Sequence, residues 1–181
     1  MDTYNEKRKK NNYGYTLVEL IVVISIMSIM VGGASLGISI VFSKDASKCA
    51  TRINDALYET RMNSMSKAGD YTLEIKNNGT ANVAVISCTG ADPKTIYLDD
   101  IQTDTKTDIT LEFELEDGTI LNPAPALPVK IKFDKAKGNA SIDGISDDGI
   151  LRFKIMPRRG NRDAKVQLVT TTGKHTIGEF D

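Results

Sequence analysis

An α+β fold is predicted: a long N-terminal helix, its first half transmembrane, packed on a C-terminal antiparallel β domain. Three observations predict it. No side chain is charged from Leu20 to Ser43. Small and apolar residues recur at three- and four-residue spacing from Ala46 to Ser64, the period of one helix face. Beyond Gly69 the pattern changes to alternation punctuated by Asn-Gly, Asp-Gly and Thr-Gly pairs, which reads as hairpin-connected strands.

Composition excludes several classes of function. With 23 Lys+Arg against 24 Asp+Glu, the net charge of −1 exerts no overall pull on nucleic acid or an anionic membrane. At 40% hydrophobic and 26% charged, the chain is neither disordered nor a polytopic membrane protein. One His and two Cys cannot build a disulfide-rich scaffold, a four-thiolate zinc site or a two-His iron centre. His175 has no visible Ser or Cys nucleophile partner, so no catalytic cluster, metal or cofactor is expected and the chain does not read as an enzyme.

The first segment, residues 1–14, carries the basic run Lys7–Lys10 directly before the apolar stretch. The positive-inside rule keeps this end in the cytoplasm and sends the C-terminal part outward. As a helix, the 24 residues from Leu20 to Ser43 would span about 36 Å, against a hydrocarbon core of about 30 Å. Three readings of such a start stand side by side. One is a signal peptide cut near Gly32-Gly33-Ala34, and another is a permanent single-pass anchor. The third is an anchor that later packs against copies of itself, and it turns on Glu19, the one charged side chain between Lys10 and Lys44. A carboxylate in an apolar helix costs about 2.5–3.5 kcal/mol at the bilayer centre and less near the interface. Only the third reading gives it a use, since a neighbour's free α-amino group can neutralise it.

Gly14-Tyr15-Thr16-Leu17-Val18-Glu19-Leu20-Ile21-Val22-Val23-Ile24 resembles the class III leader and N-terminal helix of type IV pilins and type II secretion pseudopilins. The resemblance implies cleavage after Gly14 by a prepilin peptidase, N-methylation of the new N-terminal Tyr15, and pairing of Glu19 with the Tyr15 amine of an adjacent subunit during assembly. It implies as partners other pilin or pseudopilin subunits, the peptidase, an inner-membrane assembly platform and, before assembly, the lipid bilayer. The location implied is a single-pass inner-membrane protein with its N-terminus inside, later an extracellular filament subunit. The domains are then a leader at 1–14, a membrane or filament-core helix half at 15–43 and a soluble pilin-like domain at 44–181. Major pilins of this family often carry a proline near mid-helix. Here that region reads Val31-Gly32-Gly33-Ala34-Ser35-Leu36-Gly37, compatible with local melting, tight helix packing or simple membrane fit.

The amphipathic part is expected to run over 44–68, with Gly69 as its stop. The β-rich part, 71–181, divides into Tyr71–Lys76, Thr80–Cys88 after an Asn77-Asn78-Gly79 turn, Thr95–Leu98, Ile109–Leu115, Val129–Phe133, Ala140–Ile142, Gly149–Met156, Lys165–Thr171 and His175–Phe180. Asn122–Pro128 is a proline-interrupted loop. A helix followed directly by strands resembles the H-type minor pseudopilins, the FimT-like minor pilins and the competence pseudopilins. The segments Val129–Gly138 and Val166–Lys174 are similar to that group's strand-turn and closing hairpin.

Three candidate sites remain. Cys49 and Cys88 are either a disulfide stapling helix to sheet, worth about 2–4 kcal/mol, or two small buried thiols that never meet. Arg158, Arg159 and Arg162 share one hairpin tip, able to engage phosphates or to be merely solvated. FimT-like pilins that capture DNA carry Gly-Arg-x-Arg in the closing hairpin. The matching stretch, Gly173-Lys174-His175-Thr176, retains one basic residue, Lys174. Asp143, Asp147 and Asp148 lack EF-hand spacing and read as turn chemistry. The function expected is a structural minor pilin or pseudopilin subunit, with a DNA-binding minor pilin acting in DNA uptake as the alternative.

Overall fold

In the computed structural model the described residues are 15–99, 106–121, 125–158 and 162–178, with backbone only for 33–44. The expected leader, Gly14 included, and Arg159 lie outside them. A single helix, α1 (Leu17–Ser66), opens the described chain. It passes through Gly32 and Gly33 without interruption, so the glycines do not melt it. It ends two residues before the expected last residue, 68, and Gly69 follows at φ +135, a conformation favouring glycine. The chain divides after Ile38 into two compact units.

In the first unit every large apolar side chain of the described helix is exposed, from Leu17 at 75% to Val31 at 68%. A helix apolar on all sides belongs in a bilayer or inside a bundle. Among the described residues, however, no helix is long and apolar enough to cross a membrane. The second part of the expected 15–43 span falls where only backbone is described.

The second unit begins at Ser39 and holds the remainder of α1 and nine strands among the described residues. The helix buries Ala46, Cys49, Ala50, Ile53, Ala56 and Leu57, the face its spacing predicts. Thr60 and Ser64 continue that face as buried polar residues, and Thr60 Oγ1 donates to Ala56 O at 2.7 Å.

The strands are β1 (Tyr71–Asn77), β2 (Asn82–Cys88), β3 (Ala91–Tyr97), β4 (Thr107–Leu115), β5 (Val129–Phe133), β6 (Ala140–Ile142), β7 (Gly149–Pro157), β8 (Ala164–Val169) and β9 (His175–Gly178). They form a five-stranded sheet, β3-β2-β1-β5-β6, and a four-stranded sheet, β4-β7-β8-β9. Every pairing is antiparallel. Alternation places Leu73, Ile75, Ile131 and Phe133 on the inner face of the first sheet and Phe113, Leu151, Phe153, Val166 and Leu168 on that of the second. All join one core cluster with the helix. Ala140 N donates to Thr170 O at 2.8 Å, tying the sheets together.

Boundaries shift where side chains take over backbone groups. Asn78 Oδ1 accepts from Thr80 N and Ala81 N, so β2 starts two residues later than expected. The third strand starts at Ala91 despite Pro93. It is an edge strand, and its pairing to β2 is irregular between Ile86 and Cys88, which spares the ladder a donor at the proline. The last strand is described only to Gly178.

Candidate functional site

Thr16 starts the helix. Its carbonyl accepts from Leu20 N at 3.1 Å, and its Oγ1 accepts from Glu19 N at 3.2 Å. This is N-cap geometry, with Glu19 at the third helical position, as in a capping box. Sequence reasoning read Glu19 for assembly alone. The Thr-x-x-Glu spacing was the signal for Thr16, and it puts the helix start directly after Tyr15, which is 83% exposed.

The polar groups farther along the exposed segment satisfy themselves. Ser25 Oγ donates to Ile21 O and Ser28 Oγ to Ile24 O, each at 2.8 Å. Back-bonded hydroxyls are compatible with apolar surroundings. The Glu19 side chain has no partner among the described residues, so a carboxyl group stands alone on an otherwise self-satisfied apolar surface. A carboxylate there is also favoured by the helix N-terminal dipole.

The cysteines are free thiols, the second of the two readings left open by the sequence. Cys49 is buried on the helix and receives Thr107 Oγ1 at 3.5 Å. Cys88 is half-buried, donates to Thr89 O at 3.8 Å, and packs so closely on Gly69 that a Cβ there would lie 2.6 Å from its Sγ. The helix from Cys49 to Ser66 rises about 25 Å, whereas a disulfide needs Cα atoms within about 7 Å. Burial pushes the Cys49 thiol up to about 12; the Thr107 hydrogen bond opposes this, Asp99 adds to it and Arg52 counters it.

Around Cys49 the structure assembles a buried polar cluster with no signature in the sequence. Asp99 Oδ2 accepts from Asn82 N at 2.7 Å and Asn82 Nδ2 at 3.0 Å. Its Oδ1 accepts from Thr107 N at 3.1 Å and Thr107 Oγ1 at 2.6 Å. Arg52 Nη1 reaches the carbonyls of Tyr97, Leu98 and Asp99 at 3.1, 3.2 and 3.0 Å. The cluster locks the end of β3 and the start of β4 onto the helix.

The basic residues do not converge. Arg158 is exposed beside Asp108, Nε to Oδ1 3.7 Å, and Arg162 is exposed at the same hairpin. Lys174 is exposed at the opposite end of β8, about 20 Å away by strand rise. Neighbouring Lys154 faces Asp163 at 3.8 Å. The phosphate-contact set thus splits into two places, with Arg158 beside an acid.

His175 packs edge-on against Tyr58, ring centroids 6.4 Å apart. Burial lowers its pKa, the Gly173 carbonyl contact opposes this, and the Arg61 charge lowers it further. Among the described residues no group of His, Cys, Asp and Glu could hold a metal ion.

No curated protein and no solved structure matches the chain. Residues 9–35 match the family model for the prokaryotic N-terminal methylation motif. The motif covers Gly14, Tyr15, Thr16 and Glu19, and it marks the N-terminal segment as that of a type IV pilin-like precursor.

Proposed function

We propose that the chain is a structural minor pilin or pseudopilin subunit of a type IV filament machine, with no chemistry of its own. A prepilin peptidase cuts between Gly14 and Tyr15, Tyr15 is N-methylated, and residues 15–43 hold the subunit in the inner membrane until it enters a filament. The β domain from residue 44 onward is carried outside.

One observation carries the reading. Glu19 presents a side chain without a partner among the described residues, on a helix half (residues 17–32) whose other described surface is apolar or internally satisfied. Removing such a charge from water requires a compensating cation, and the α-amino group of a processed neighbour is the group that cleavage creates. Thr16 supports this by fixing the first turn, so that the amine and the carboxylate stand at one end of the helix.

The test is a Glu19→Val variant expressed with the processing and assembly machinery. N-terminal sequencing should show that it still begins at Tyr15, while sheared fibres contain little of it. Incorporation equal to wild type would overturn the role given to Glu19.

A further inference from the structure

Where the last turns of α1 meet β1 and the end of β5, the surface holds a cleft of about 390 Å³ lined by Ser64, Asp70, Tyr71, Lys132, Asp134 and Lys135. That volume is typical of small-ligand sites. The helix contributes a hydroxyl to its wall that nothing in the fold answers. Thr51, Thr60 and Ser66 each donate to the carbonyl four residues back along α1. Ser64 does not: it is 2% exposed, and its Oγ has no partner among the described residues. A buried hydroxyl left unbonded is costly, so its place in the wall of a cleft points to a partner from outside the chain.

The charges around Ser64 cancel. Lys135 Nζ pairs with Asp70 Oδ1 at 2.8 Å. The Lys135 hydrogen bond and charge hold the Asp70 carboxyl below its ordinary range, and the Lys132 charge acts in the same direction. Asp134 Oδ1 accepts from Ala136 N and Lys137 N, which leaves its other oxygen without a hydrogen bond among the described residues. Two lysines and two aspartates give the lining no net charge, so it offers no net attraction to an anion or a cation. An ion entering it would oppose one member of the Asp70–Lys135 pair or break the pair. What the lining does offer is unused hydrogen-bonding capacity. Ammonium groups only donate, carboxylates only accept, and the Ser64 hydroxyl does both. Donors and acceptors set side by side match a ligand whose own groups do both.

We propose that this cleft binds a neutral, polyhydroxylated ligand, a sugar unit. Its hydroxyls accept from Lys132 and Lys135, donate to Asp70 and Asp134 and meet Ser64 Oγ, with Tyr71 beside its C–H groups. The inference goes beyond the filament reading and is independent of Glu19, because the cleft lies wholly within the second unit.

The experiment uses the full chain in a detergent without a sugar headgroup. Saturation-transfer NMR follows titration with cellobiose, lactose and N,N′-diacetylchitobiose, and with inorganic phosphate and free glycine as charged comparators. At least one disaccharide should bind, and neither comparator should. Ser64→Ala should weaken binding several-fold without lowering Tm, since the lost hydroxyl makes no bond within the fold, and Lys132→Ala should also weaken it. Where cellobiose or diacetylchitobiose binds, retention on insoluble cellulose or chitin assigns a polysaccharide as the source, and passage through assigns the free sugar. Failure of all three disaccharides, binding of phosphate or glycine in their place, or unchanged affinity in Ser64→Ala overturns the site. A Tm lowered by Ser64→Ala would mean that the hydroxyl is bonded inside the fold, and overturns it as well.

Discussion

Replacing Asp99 by Ala removes the acceptor for four hydrogen bonds at 2.6–3.1 Å from a side chain 4% exposed. Two of the donors have another acceptor. Asn82 Nδ2 still reaches Thr107 O at 2.6 Å, and Thr107 Oγ1 still reaches Cys49 Sγ at 3.5 Å. The backbone N–H groups of Asn82 and Thr107 do not, and each buried orphan costs about 1–3 kcal/mol. Losing the carboxylate also relieves its own desolvation, which holds the sum near 3–4 kcal/mol. Against a folding free energy of about 5–15 kcal/mol, that is a large share, and it corresponds to a fall of roughly 10 °C in Tm for a chain of this size. Asp99→Asn keeps one oxygen and orphans one N–H rather than two, so its loss should be about half as large. Thermal unfolding of the full chain in detergent, followed by circular dichroism, gives both numbers. A change below about 1 kcal/mol for Ala, or an Asn variant less stable than the Ala variant, would refute the assignment of Asp99 as the shared acceptor.

Other perturbations have equally definite outcomes. In the folded protein a thiol reagent should label Cys88 alone, because Cys49 is buried with its pKa pushed up to about 12; denaturation should expose the second thiol, and mass spectrometry of the labelled peptides reads the result. His175 has a folded pKa below the ordinary histidine value of about 6.5, so the unfolded chain takes up its proton first. Its contribution to stability is present above about pH 6.5 and is lost as pH falls through the lower folded value. His175→Gln should therefore have a flatter Tm profile than wild type over that window. Gly173→Ala should destabilise strongly, since its Cβ would lie 1.9 Å from Gly138 O at φ +62, whereas Gly90→Ala, with open space around its Cβ, bears only the strain of its positive φ, about 1 kcal/mol.

Most of the fold was legible because its periods were clean. Ala46, Ala50, Ile53 and Leu57 repeat on one helix face, and Leu73, Ile75, Ile131 and Phe133 alternate on strands with one buried side. What failed were places where a single side chain competes with backbone pairing. Asn78 and Thr170 each divert hydrogen bonds that would otherwise extend a strand, and composition gives no warning of which Asn or Thr does so. The division into two sheets was illegible for the same reason: it depends on which strand finds which edge, and alternation is identical in either arrangement. The Cys pair stayed undecided because both residues lie where helix and sheet meet. The missing fact was the helix rise between Cys49 and the end of α1, which separates them along the domain.

Glu19 stands out in the sequence and Asp99 does not, although both are carboxylates in unfavourable surroundings. The difference lies in where the compensation comes from. Asp99 is answered within the chain, by Asn82 and Thr107 from sequence positions with no common pattern, so only the folded structure reveals its purpose. Glu19 sits in a segment whose flanking polar residues are either caps or back-bonded hydroxyls, and no cation of the described helix half stands beside it, from Tyr15 to Gly32. An unanswered charge in a run of Leu, Ile, Val and Met is visible without coordinates, and it requires a partner that the helix itself does not supply. Thr16 separates two versions of that requirement. If the cap served helix stability alone, Thr16→Ser, which retains an Oγ acceptor, and Thr16→Ala would differ only by the cap energy of about 1 kcal/mol. If the cap holds the first turn so that Glu19 meets the incoming amine, Thr16→Ala should reduce fibre incorporation while Thr16→Ser restores it, with processing at Tyr15 and domain melting unchanged in both.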